Sequence, residues 1–105
     1  MDITILRYSE PRVIKTFGDR RTLAVFKGEA PAGLPPDILP AAVRKLHVIH
    51  SATRIDTLRV PAGNRLEKLS GDLAGWWSVR INRQWRIIFL WTDGAEQAQI
   101  VDYHG

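Results

Sequence analysis

The sequence predicts an α+β domain: an N-terminal strand, two helices, then a four-strand antiparallel meander with the helices packed on one face of the sheet. Three observations carry this expectation. Residues 37–52 space their apolar side chains as a helix does, and residues 65–104 break into four strand-like segments with short polar connections. Ahead of both, a β-rich stretch at 13–17 runs into Asp19, a residue type suited to capping a helix. At 105 residues, 45% hydrophobic and 25% charged, the chain has the length and composition for one core.

Taken in order, residues 1–12 show weak alternation (Ile3, Ile5) and reach Pro11, so they are expected to be an N-terminal arm or extension outside a single domain at 13–105. Asp19 caps a short helix running through Lys27, and Gly28 stops it. The stretch 30–36, with Pro31, Gly33, Pro35 and Pro36, is a loop. The main helix at 37–52 aligns Leu39, Ala42, Val43, Leu46 and Ile49, and tolerates Pro40 in its first turn. After a second punctuated stretch at 54–64, strands are expected at 65–69, 75–82, 85–91 and 97–104. In the third, only Arg86 resists burial among the aromatic and aliphatic residues around it.

Composition excludes several functions. Without cysteine there is no disulfide scaffold, thiolate metal site, redox motif or cysteine nucleophile, which suits a reducing cytoplasm. The longest apolar run, 87–91, is far below the ~20 residues of a membrane span, and the first residues lack a secretory apolar core. No phosphate-cradling glycine loop, nucleophile elbow or zinc signature is present, which argues against ATP and dinucleotide chemistry. His47 and His50, three apart on the main helix, read as packing residues, so neither a metal nor a cofactor is expected.

Charge points elsewhere. Fifteen basic residues against eleven acidic give a net charge of +4, and eleven of the basic residues are arginine, whose planar fork matches phosphate. In the meander Arg65, Lys68, Arg80, Arg83 and Arg86 stand against Glu67 and Asp72, and alternation puts Trp76, Ser78, Arg80 and Asn82 on one side of their strand, a side left for partners. Arginines beside a stacking ring suit RNA; a solvated sheet face is the plainer alternative. The chain ends Val101-Asp102-Tyr103-His104-Gly105. RNA cleavage through the neighbouring 2′-hydroxyl needs a base, an acid for the leaving 5′-oxygen and cations around the phosphorane. Asp102 or Glu67, His104, and Arg80 with Arg86 supply these types; a frayed end without a role is equally compatible with the residue types.

The segments Ile14-Lys15-Thr16-Phe17, Phe26-Lys27-Gly28, Gly63-Asn64-Arg65-Leu66-Glu67, Leu69-Ser70-Gly71-Asp72, Trp77-Ser78-Val79-Arg80-Ile81-Asn82, Gln84-Trp85-Arg86-Ile87 and Val101-Asp102-Tyr103-His104, in that order and spacing, resemble the HigB branch of the RelE/ParE toxin superfamily. The resemblance spans 14–104 and implies a RelE-like fold. It implies a small toxin of a bacterial type II toxin–antitoxin pair that enters the ribosomal A site and cleaves mRNA. A helix-turn-helix, HigA-like antitoxin would restrain it, and operator DNA would be reached only through that antitoxin. By position, Trp85 and Arg86 match the family's tryptophan-arginine pair, and Asp102, Tyr103 and His104 its terminal triplet. Charge, alternation and the resemblance together give the expectation of Arg80 and Arg86 on the phosphate, His104 as acid, and Asp102 or Glu67 as base, with Arg65, Lys68, Arg83, Trp76 and Tyr103 binding RNA. By the resemblance, Glu67 stands where several members have a catalytic histidine, so base work falls to a carboxylate and cleavage is expected to be slow or lost. Two other readings fit the residues: a non-catalytic toxin that blocks a protein target as ParE does or obstructs ribosomes, and a co-repressor bound to its antitoxin.

Overall fold

The computed structural model describes residues 14–103; the expected arm at 1–12 and the terminal His104 lie outside them. Helix α1 (Arg20–Phe26) begins where expected, because extended Asp19 turns its carboxylate onto the Thr22 N–H at 2.8 Å. Gly28, at φ +89°, takes the left-handed conformation that ends it. Helix α2 (Leu39–Ser51) starts two residues later than its periodicity suggests, since 36–38 forms a 3₁₀ turn led by Pro36.

Four antiparallel strands follow in the order β1 (Glu67–Lys68), β2 (Trp77–Arg80), β3 (Trp85–Trp91) and β4 (Ala95–Asp102). Alternation gives β3 one side bearing Trp85, Ile87 and Phe89, which share a core with Val79, Ile100, Val25 of α1 and Ala42, Leu46 and Ile49 of α2. The opposite side was expected to be free for partners, but its centre is closed. Ser78 is 0% exposed and its register partner Ile88 5%. Because β3 is apolar on both sides, the opening is confined to the end where Arg80 pairs with Arg86.

Three boundaries differ from the sequence reading. Strand β1 is two residues rather than five because Arg65 is left-handed, φ 47°, and cannot join a ladder. Strand β2 starts late because Gly75 (φ 94°) and a bond from Trp76 N–H to Leu73 C=O hold a turn there. Strand β4 begins at Ala95 and carries a bulge: Gln97, φ 54°, is the extra residue, and the register with β3 shifts between Ile88 and Leu90. That extra residue resets the alternation, so Ala95, Ala98 and Ile100 all reach full burial.

The first strand is reduced to an extended segment running parallel to β4. Lys15 N–H donates to Ala95 C=O (2.8 Å), Ala98 N–H to Thr16 C=O (3.2 Å) and Gly18 N–H to Ala98 C=O (2.9 Å). Lys15 also forms an ion pair with Asp93 at the β3–β4 turn. Helix α1 is pinned to the same strand by Thr22, fully buried, whose Oγ1 accepts the Ile100 N–H at 2.9 Å.

Thr22→Val preserves shape and leaves that N–H unpaired in the core. The expected loss is about 1–3 kcal/mol, read from urea unfolding monitored by circular dichroism. A loss below about 0.5 kcal/mol would mean that the bond contributes nothing net.

Candidate active site

Arg86 lies on the side of β3 away from the helices and is only 8% exposed. A guanidinium removed from water must keep its donors occupied. Nη1 donates to Glu67 Oε1 at 3.1 Å and Nη2 to the Arg65 carbonyl at 2.8 Å, while Nε is buried with no partner among the described residues. The Tyr103 ring lies 5.6 Å from Cζ, within cation–π range.

Around this fork lies a concavity of about 320 Å³ lined by Arg65, Glu67, Arg80, Asn82, Arg83, Arg86 and Tyr103. Each arrives by a local cause. The left-handed turn at Arg65 brings its carbonyl to Arg86, and register across β2 and β3 sets Arg80 opposite Arg86. The β2–β3 turn is closed by Asn82, whose Oδ1 accepts both Gln84 N–H and Trp85 N–H at 2.8 Å. Gln84 then clasps the end of β4: its carbonyl accepts Tyr103 N–H at 2.7 Å, and its Nε2 donates to Asp102 Oδ2 at 3.1 Å. Four arginines against one carboxylate make the concavity strongly cationic, suited to a phosphodiester. Glu67, with its side chain half exposed, is placed to accept a proton from a bound group.

The remaining sequence candidates fall elsewhere. Asp102 is in register with Trp85 and so belongs to the helix-side face, at its exposed end, bonded to Gln84. Lys68 is in register with Trp77 and sits 5.5 Å over that ring, outside the concavity. Trp76 does not line it either, and Ser78, grouped with Trp76 and Arg80 by alternation, is buried with its hydroxyl unpartnered among the described residues. The ring beside the arginines is that of Tyr103. Asn82 and Gln84, which shape the site, are marked in the sequence only as Asn-Arg-Gln between two strands, the composition of a side-chain-closed turn.

The two helix histidines serve packing. His47 stacks on Phe26 with ring centroids 4.4 Å apart, and His50 Nδ1 accepts the Ile14 N–H at 3.1 Å. Among the described residues no group of three or more His, Asp or Glu converges as metal ligands do. A larger, mostly apolar groove of about 680 Å³ runs along α2 past Val43, Val48 and Ala52, but its one imidazole, His47, is already engaged with Phe26.

Arg86→Lys keeps the charge but cannot serve both acceptors, and is expected to cost about 1–3 kcal/mol in urea unfolding. Glu67→Gln keeps an acceptor for Nη1 at a half-exposed position and should cost less than about 1 kcal/mol. Equal costs would mean that the fork is not what holds the site.

Comparison with known proteins bears on this arrangement. A family model described as RelE-like toxin of type II toxin-antitoxin system HigB matches residues 15–104. Toxin HigB-1 of Vibrio cholerae serotype O1 is 44% identical over 71 residues, covering 68% of this chain and 75% of that protein. Endoribonuclease HigB of Proteus vulgaris is 30% identical over 93 residues, 88% of this chain and 100% of that protein. An uncharacterized protein of Haemophilus influenzae is 29% identical over 77 residues, 73% and 76% of the two chains.

Proposed function

Since the chain belongs to the HigB-like family of RelE-like toxins of type II toxin–antitoxin systems, we propose that it is an endoribonuclease that cuts mRNA on the translating ribosome, with the cationic concavity around Arg86 as its active site. The observation that carries this reading is the buried Arg86 fork held against the Glu67 carboxylate, with Arg80 beside it in register. In-line attack by a 2′-hydroxyl on its own phosphate builds negative charge on the phosphorane oxygens, and preformed guanidinium donors stabilise that charge without reorganising.

The proton inventory then assigns roles. Glu67, inside the concavity, takes the 2′-hydroxyl proton. Asp102, in register with Trp85 on the helix-side face, is the weaker candidate for base. The leaving 5′-oxygen takes a proton from His104, the residue after Tyr103. Arg80 and Arg86 hold the non-bridging oxygens, Arg65 and Arg83 bind neighbouring phosphates, and Tyr103 offers its ring to a base. The products are a 2′,3′-cyclic phosphate and a free 5′-hydroxyl, with no metal needed.

A toxin of a type II pair has an antitoxin partner. In this reading the partner is a helix-turn-helix, HigA-like protein, DNA is contacted through it, and the toxin works in the cytoplasm, where mRNA meets ribosomes. No helix among the described residues is long and apolar enough to cross a membrane.

Single-turnover cleavage on programmed ribosomes tests the assignment. Glu67→Gln and His104→Ala are each expected to slow cutting by on the order of 10²–10⁴, Asp102→Asn by no more than about threefold, and Arg86→Ala to abolish it. Full rates in both carboxylate variants would overturn the base. Intact message on stalled ribosomes would replace cleavage with obstruction.

A further inference from the structure

On the helix layer, behind the sheet, α2 carries Lys45, half buried, whose Nζ donates to the Arg80 carbonyl at 2.6 Å. The ladder between β1 and β2 ends at the pair Glu67 and Ser78, so no β1 residue pairs with Arg80. Strand β3 holds the next residues, its Trp85 carbonyl accepting the Ile81 and Asn82 N–H groups at 2.8 and 3.1 Å, while on the β1 side the Arg80 carbonyl is tied by the bond from another layer. Arg80 is the last residue of β2, the register partner of Arg86, and the entry to the Asn82-closed turn that carries Arg83.

Resting on the function proposed above, we infer that Lys45 is a positioning residue for the active site: through its bond to the Arg80 carbonyl it holds the end of β2 so that the Arg80 and Arg86 forks meet one phosphate together. Lys45 does not line the concavity, and so acts through Arg80 rather than on RNA. Its surroundings agree. Burial holds its pKa below the ordinary lysine value, and the charges acting on it, from Arg44, Arg80 and Arg86, push it the same way. An ammonium placed among three guanidiniums gains nothing from Coulomb attraction there, so the hydrogen bond to Arg80 accounts for its place.

The test combines binding and cutting. A 2′-O-methyl RNA oligonucleotide, which resists cleavage, is titrated against wild type, Lys45→Met and Lys45→Arg at several salt concentrations, with folding followed by circular dichroism. Loss of one phosphate contact in Lys45→Met should weaken binding about tenfold at low salt and make the slope of log affinity against log salt shallower by about 0.7. Its cleavage rate on programmed ribosomes should fall by about tenfold per folded molecule. Lys45→Arg, with charge and donor kept, should stay within about threefold of wild type on both measures. An unchanged slope and rate in Lys45→Met, or losses that merely track its unfolded fraction, overturn the inference. Should Lys45→Met fail to fold, Lys45→Gln, whose shorter amide withdraws from the Arg80 carbonyl, carries the same expectation, and wild-type behaviour from it overturns the inference equally. Wild-type protein that binds the oligonucleotide but leaves message intact on ribosomes removes the cleavage reading alone, and the binding arm still decides for Lys45. Wild-type protein that cuts message on ribosomes without binding the free oligonucleotide leaves the cleavage reading standing, and the ribosomal rate of Lys45→Met then decides for Lys45; wild-type protein that does neither removes both.

Discussion

Burying a guanidinium in a sheet commits its surroundings to satisfying it. Arg86 occupies the end of the most apolar strand, and its two outer nitrogens draw partners from one short stretch of chain, the Arg65 carbonyl and the Glu67 carboxylate. The left-handed turn at Arg65 and the position of the two-residue strand β1 follow from that demand as much as from any packing. The same two bonds stitch the sheet's edge to its centre and leave Glu67 among the guanidiniums that line the concavity. Site and scaffold are thus one hydrogen-bonded unit at this end of the sheet.

Behind the sheet the organisation differs. Here Val25, Leu46, Ile49, Ile87, Phe89 and Ile100 pack without polar interruption, apart from Thr22 and its bond to Ile100. Stability drawn from this side tolerates a face whose like charges repel.

Local physics made much of the fold readable. The Asp19 cap, the α2 stripe and the full extent of β3 follow from side chains acting within a few residues, and the Arg86 anomaly marked the end of the sheet where the concavity opens. Other features depend on residues distant in sequence. A left-handed arginine has no compositional signature, so β1 was read too long. The bulge at Gln97 answers to the pairing of 15–18 with β4, which no periodicity in 95–102 encodes. Residue type alone leaves Asp102 and Glu67 level as candidate bases; register puts the two on opposite faces of the sheet, because a single step along a strand reverses the face. Lys45 carries no signal in the sequence, because its partner, the Arg80 carbonyl, lies 35 residues further on.

The edges of the sheet have a consequence for how this molecule meets others. Along β4 the outer hydrogen-bonding positions are occupied by residues 15–18, and the opposite edge offers two residues bounded by the left-handed Arg65 and a turn. Among the described residues neither border provides a free run of amides and carbonyls on which a foreign strand could template itself. Recognition by backbone zippering is thereby discouraged, along with the self-association it invites. A protein with +4 net charge and a cationic cleft is left to be read through side chains: shape, charge and stacking.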